Sequence, residues 1–245
     1  MESMDMIRKV HQVVFGDLPQ APVTGYAKVA TASVRAAFPS CEYRCWNLTE
    51  AENFVAKHFN SAVRNAFQGL RPFAYKGDLF KYCLLYVVGG WYIDAGVRML
   101  VSPESVFTDK NKLDFVLFRS TGLWDAPWNC SLAFLYAAPG SPVFLTAIKE
   151  VIRNYENRYY GTNPLCPTMT VFGRAVAIHN VNKNIKIGQV VDVKDKRYRR
   201  GFALPPLGLV GLRKPTHAVV GNVADIGIPG SNSYVELWKE RNIYS

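Results

Sequence analysis

Three charged residues in the first half of the chain have the types and spacing to hold a polar ligand. Asp78 and Lys81 stand three apart in a run whose apolar residues (Leu79, Phe80, Cys83, Leu84, Val87) recur at helical spacing, so both project from one helix face. After a Gly89-Gly90 break, the apolar run Trp91-Tyr92-Ile93 ends in Asp94. In α/β sheets, ligands bind outside the carboxyl ends of the strands. A carboxylate there can take a sugar hydroxyl or a hard divalent cation, which prefers oxygen ligands. On pattern alone, the same stretch also reads as a helix with a surface charge pair and a strand capped by a turn aspartate.

Other elements must place these groups. A first strand is predicted over Ile7–Phe15, closed by Gly16-Asp17 and a loop containing Pro19 and Pro22. Helices are predicted over Thr24–Ala37, Thr49 to about His58, Ser61–Phe67 and Phe73–Val88, with a strand at Glu42–Trp46. Further strands are read at Phe115–Phe118 and Ser131–Ala138. Helices follow at Ser141–Tyr155, with Pro142 in its first turn, and at Met169–His179. Beyond that the chain reads as short strands and loops. The alternation of strand and helix points to a layered α/β sheet in one domain.

The segment Ala74–Val97, AYKGDLFKYCLLYVVGGWYIDAGV, resembles the family 32 glycosyltransferases, whose sugar-binding region carries a DxD motif. The family includes mannosyltransferases and capsule and surface-polysaccharide enzymes. It shows D-L-x-R-Y in a helix, then L-Y-x-x-G-G-x-Y-x-D-x-D. Asp78-Leu79-Phe80-Lys81-Tyr82 and Leu85 to Asp94 match those patterns. Ile7 to Gly16 resembles the family's first strand and its nucleotide-contacting turn, with weaker likeness at Asn129–Pro142 and Gly161–Thr170.

The resemblance implies a GT-A-like nucleotide-sugar-binding α/β fold, with a mixed, mainly parallel sheet flanked by helices. It implies one domain over 1–245, with a nucleotide-sugar part at about 6–120 and an acceptor part with a basic C-terminal segment at about 121–245. The implied reaction moves a sugar from a UDP- or GDP-sugar to a hydroxyl of a glycan, lipid-linked or glycoprotein acceptor, with retention. Asp94, Asp78 and Lys81 would then be catalytic. Val14, Phe15, Gly16, Asp78, Tyr92, Asp94, Ala95 and Gly96 would contact the donor, and Trp91 would help shape the strand end.

Two departures from the family pattern matter. The second DxD aspartate is Gly96, which has no side chain to ligate Mn²⁺ or Mg²⁺, and the expected arginine is Lys81, which lacks the bidentate fork. A divalent metal remains implied, held by Asp94 with His217 or Asp225 as the further ligand. Alternatively, basic groups neutralise the donor diphosphate, with Lys194, Lys196, Arg197, Arg199 and Arg200 as candidates. As a third possibility, catalysis is lost and the protein only binds sugar nucleotides.

The candidate diphosphate cations come from an uneven charge distribution. The chain has 245 residues and a formal charge of +10. Residues 181–214 hold nine basic and two acidic groups, leaving the rest only slightly basic. Hydrophobic residues make up 49%, which excludes a disordered polyelectrolyte. The basic run around Tyr198 supports a nucleic-acid reading through aromatic stacking, but no recognised nucleic-acid-binding signature accompanies it, and no nucleic acid is expected. Peripheral contact with an anionic membrane suits the same run. No nucleophile elbow, dinucleotide fingerprint or P-loop occurs. Trp124, Asp125 and Asn129 are candidates for an acceptor pocket. The five cysteines, without a CxxC pair, read as free thiols. The N-terminal ten residues do not read as a signal peptide, and no apolar run reaches the length of a membrane span. The expected location is cytoplasmic, soluble or peripheral to a membrane.

Overall fold

A computed structural model of the protein describes residues 6–17, 23–107, 113–120, 129–179, 184–195, 197–198, 200–213 and 221–245. The strands are β1 (Lys9–Val13), β2 (Glu42–Trp46), β3 (Gly90–Ile93), β4 (Val97–Met99), β5 (Phe115–Arg119), β6 (Phe134–Ala137), β7 (Ile185–Asp192), β8 (Arg200–Leu204) and β9 (Gly208–Arg213). The helices are α1 (Gly25–Ala37), α2 (Leu48–His58), α3 (Ser61–Gly69), α4 (Phe73–Val87), α5 (Pro142–Glu156), α6 (Thr170–His179) and α7 (Tyr234–Lys239).

Local chemistry accounts for several of these boundaries. Asn47 and Glu50 form a capping box at the start of α2: the Glu50 N–H donates to Asn47 Oδ1 at 2.9 Å, and the Asn47 N–H to Glu50 Oε2 at 3.0 Å. Ser141 caps α5 ahead of Pro142. The Lys76 ammonium is buried in α4 and donates to the carbonyls of Phe67 at 2.6 Å and Gln68 at 2.9 Å, satisfying the end of α3. Burial pulls its pKa down to about 8. Glycine is required where α4 turns into the sheet: a Cβ on Gly90 (φ 101°) would lie 2.7 Å from the Lys9 carbonyl, and one on Gly89 (φ 67°) 2.7 Å from Pro139.

The described strands form one curled sheet in the order β2-β1-β3-β6-β5-β7-β8-β9-β4. Side chains alternate across it. Tyr92, Phe115, Leu117, Leu135 and Ala137 face the core under α2 to α6, while Trp91, Ile93, Val116, Phe118, Phe134 and Tyr136 face a second core with Val34 and Phe38 of α1. Trp91 is therefore a core residue on the face opposite Tyr92 and does not shape the strand end. The layered α/β class agrees with the sequence reading, but the strand directions are more evenly mixed than expected. Three pairings are parallel (β1 with β2, β1 with β3, β5 with β7) and five are antiparallel. The antiparallel excess comes largely from β7, β8 and β9, adjacent strands in a region read only as short strands and loops.

β1 and β6 are shorter than their predicted spans, and β4 had none. β1 stops at Val13: Val14 N–H still donates to the Trp46 carbonyl at 3.0 Å, and the chain then turns to the C-terminal segment, where Asp17 N–H donates to the Gly230 carbonyl at 2.9 Å. β4, three residues long, was not visible in the pattern. It follows Asp94-Ala95-Gly96 and pairs with β9 at the far end of the strand order, so those three residues form the seam where the sheet curls back on itself.

His11 in β1 is buried and neutral. Its Nδ1 accepts from Trp46 Nε1 at 3.3 Å and its Nε2 lies 3.2 Å from the Gly89 carbonyl. Burial outweighs the Gly89 contact and lowers its pKa to about 4.

Candidate functional site

A cleft of about 240 Å³ opens at the C-terminal ends of β1 and β3. Helix α4 contributes Asp78 and Lys81, and β3 contributes Tyr92 and then Asp94. The helical i, i+3 spacing holds Lys81 Nζ 3.2 Å from Asp78 Oδ1, and the same ammonium lies 3.1 Å from Asp94 Oδ1. The Tyr92 hydroxyl donates to Asp94 Oδ1 at 2.9 Å. On the other carboxylate oxygen, the Arg213 guanidinium stands 3.8 Å away. The Thr168 hydroxyl donates to Asp78 Oδ2 at 2.8 Å.

The backbone of Asp94 is fixed as firmly as its side chain. Its N–H donates to the Ala133 carbonyl at 2.8 Å, and its carbonyl accepts from Val97 N–H at 2.9 Å and from Gln12 Nε2 at 3.4 Å. Gln12 is in turn oriented by the Tyr43 hydroxyl at 2.7 Å.

The two carboxyls are tuned in opposite directions. Burial is the largest influence on Asp78 and pushes its pKa up, against the opposing pull of Lys81 and Thr168. Burial also acts to raise Asp94, but Lys81, Arg213 and the Tyr92 hydroxyl together outweigh it and hold this carboxyl below the usual range. Burial alone would lower Lys81; Asp94 and Asp78 reverse that and keep it charged. At neutral pH the site thus holds an ionised Asp94 locked to a charged lysine.

A C-terminal segment closes the cleft with Gly221, Val223, Ile226, Ile228, Ser231, Asn232 and Tyr234. It is tied down from three directions. Thr24 N–H donates to the Gly227 carbonyl at 2.8 Å. A Cβ on Gly16 would lie 2.7 Å from the Pro229 carbonyl, so glycine permits that close approach. Asn232 Oδ1 accepts the Phe73 N–H at 3.0 Å, capping α4 from 159 residues away.

Among the expected donor residues, Val14, Phe15, Asp78, Tyr92, Asp94, Ala95 and Gly96 line this cleft, while Gly16 supports it from behind. Of the two expected further metal ligands, Asp225 is exposed in a short 3-10 turn and does not line the cleft. His217, Trp124, Asp125, Lys196 and Arg199 lie outside the described residues. Asn129 is fully buried and does not line the cleft either. Of the basic candidates, Arg197 pairs with Asp195 on an exposed turn, Lys194 is exposed, and Arg200 is half-buried on β8; none of these three lines the cleft. Tyr198 is buried with its hydroxyl 3.1 Å from Arg98, so its ring is not a stacking platform. The cysteines are free, as expected.

Sequence reasoning missed Arg213 and Thr168 as site residues. Arg213 was visible only as one charge in a basic segment, and Thr168 only within the Gly161–Thr170 stretch. The side-chain contacts that matter span 119 and 90 residues.

The described residues do not fit the metal that a DxD motif implies. An ideal Cβ on Gly96 points at Ile226 Cδ1, 3.1 Å away, beside an apolar cluster of Ala27, Ala95, Ile226 and Ile228. A carboxylate there would meet hydrocarbon. Asp94 Oδ1 already carries an ammonium and a hydroxyl donor, and no group of three His, Cys, Asp or Glu suited to a cation occurs among the described residues.

Comparison with known proteins points the same way as the fold. Residues 26–113 match the profile of the family described as a glycosyltransferase sugar-binding region containing a DXD motif. The solved structure of PaToxG glycosyltransferase superposes with a TM-score of 0.52 at 10% identity, over 71% of this chain and 70% of that one. The ligand-free glycosyltransferase domain from the YGT toxin matches at a TM-score of 0.33 and 10% identity, over 62% of this chain and 44% of its own. No curated protein matches the sequence. The fold is GT-A-like, and the matched region supports a glycosyltransferase. No helix among the described residues is long and apolar enough to cross a membrane.

Proposed function

We propose that the protein is a single-domain family 32-type glycosyltransferase that moves a sugar from a UDP- or GDP-linked donor to a hydroxyl of a glycan, lipid-linked or glycoprotein acceptor, with retention at the anomeric carbon. The observation that carries this reading is Asp94, fixed at the strand end inside the cleft by the same lysine that holds Asp78, within the stretch matched to a sugar-binding region. In this reading the two carboxylates accept hydrogen bonds from the donor's ribose and sugar hydroxyls. The apolar surface of Val14, Phe15 and Ile226 takes the less polar faces of the ligand.

The bond from the anomeric carbon to the phosphate oxygen breaks, and its electron pair leaves with the nucleoside diphosphate. The acceptor oxygen bonds to that carbon, and its proton passes to the departing phosphate oxygen. Asp94 and Asp78 orient the sugar for this exchange, and the buried cleft limits competition from water. The exposed basic residues of 181–214, Lys194 and Arg197 among them, suit peripheral contact with an anionic membrane when the acceptor is lipid-linked.

Release of UDP or GDP from a panel of sugar nucleotides tests the proposal. Asp94→Asn is expected to lower the rate at least about 100-fold, the scale of losing one catalytic electrostatic contact, with an unchanged circular dichroism spectrum. Undiminished turnover in that variant would sink it. Gly96 and the hydrocarbon around it favour a second reading, a sugar-nucleotide-binding protein without turnover. That reading predicts thermal stabilisation by a sugar nucleotide and no product with any acceptor tried.

A further inference from the structure

Resting on the nucleotide-sugar reading above, we infer that the donor diphosphate is neutralised by Arg213 in place of a divalent cation, while Lys81 stays engaged with the two aspartates. The position that would carry a second metal-binding carboxylate is Gly96, and it faces Ile226. Asp94 Oδ1 is committed to Lys81 and Tyr92, and a second positive charge close to that ammonium would be repelled.

Among the described residues two cations line the cleft, and they are placed very differently. The Lys81 side chain is 9% exposed and bridges both carboxylates at 3.1–3.2 Å. The Arg213 side chain is 45% exposed, and its guanidinium stands 3.8 Å from Asp94 Oδ2, beyond hydrogen-bond length. Two carboxylates are balanced by two cations, so an arriving diphosphate needs one cation freed. Arg213 is the one held loosely, and its planar fork can grip two phosphate oxygens at once.

A second observation is independent of Asp94. Arg213 on β9 lies directly opposite Arg200 on β8 in the antiparallel register, a like-charge pair that disfavours strand pairing. An anion bound near the strand end relieves that repulsion. The backbone of Arg213 is held in register with Val97 on β4, so the guanidinium starts from a fixed strand beside Asp94.

Calorimetric titration of the full chain with UDP and with GDP, in EDTA and separately in Mn²⁺, tests the inference. The expected result is binding of one diphosphate in EDTA with an affinity within about threefold of that in Mn²⁺. Arg213→Gln is expected to weaken diphosphate binding at least tenfold, and Arg213→Lys to recover part of it. The corresponding uridine or guanosine, which has no phosphate, should bind both variants like the parent, showing that the cleft is intact. Diphosphate binding that appears only with Mn²⁺, or an Arg213→Gln variant with parental diphosphate affinity, overturns the inference and leaves the nucleotide-sugar reading standing. Failure of UDP and GDP to bind under both conditions overturns both.

Discussion

The corner of the cleft built from α4 and the end of β3 holds Asp78, Lys81 and Asp94 with contacts of 3.1–3.2 Å, whereas the lining contributed by Val14, Ala95, Ile226 and Ile228 is hydrocarbon. The charged corner comes from 17 consecutive residues, 78 to 94. The apolar lining draws on residues more than 200 positions apart. The ion-paired groups sit on α4 and β3, where helix and strand geometry fix their separation. The apolar surface combines Val14 and Ala95 with Ile226 and Ile228 of the C-terminal segment.

Removing the shared cation is the strongest way to break that contrast. Lys81→Met leaves two partly buried carboxylates without their shared cation and is expected to cost about 3 kcal/mol in urea unfolding at pH 7, the low end of the range for stripping one partner from a buried ion pair. Combining it with Asp78→Asn and Asp94→Asn should restore most of the loss; if it does not, packing rather than charge governs the corner.

Acid probes the charged groups against a neutral one. The His11 pKa, about 4 in the fold and 6.5 as a free side chain, means that the unfolded chain binds the extra proton between those values. The contribution of His11 to stability is therefore complete above about pH 6.5 and declines by about 3 kcal/mol as pH falls to about 4. His11→Gln should flatten that slope in chemical unfolding across the window, while Asp94 is held below the usual carboxylate range by Lys81 and Arg213.

The apolar lining gives a smaller, sharper test. Gly96→Ala places a methyl against the flexible tip of Ile226 and should change stability by less than about 1 kcal/mol. Gly96→Asp puts a charge against the same hydrocarbon and should cost about 1–3 kcal/mol more. Equal costs for the two would mean the carboxylate finds solvent or a cation. Outside the cleft, Asn47→Ala should remove only the α2 cap, about 1 kcal/mol.

The sequence made the charged corner legible because every signal for it was local. The i, i+3 spacing placed Asp78 beside Lys81, the Gly89-Gly90 break announced the turn, and the Trp91-Tyr92-Ile93 run announced the strand ending at Asp94. Helices α1 to α6 were read to within a few residues for the same reason, whereas α7 (Tyr234–Lys239) falls in a stretch read as short strands and loops. Arg213, Thr168, Asn232 and the strand β4 were not legible. Their roles depend on contacts between distant segments, and three residues are too few to show a period. Gly96 was recognised as a departure from the DxD pattern, but the hydrocarbon it faces belongs to Ile226, 130 residues on. Arg197, a candidate for the diphosphate, pairs with Asp195 on an exposed turn and does not line the cleft.

The seam at residues 94–96 also makes one strand's register an alignment gauge for the cleft. Val97 is opposite Arg213 in the β4–β9 ladder, so the separation between the Asp94 carboxylate and the guanidinium is set by three residues of chain and one pair of strands. Because successive side chains on a strand point to opposite faces, a one-residue slip of β9 would swing Arg213 out of the cleft and present Leu212 or Lys214 in its place. An insertion or deletion within 208–213 should therefore alter ligand handling even though it changes none of the residues around Asp78.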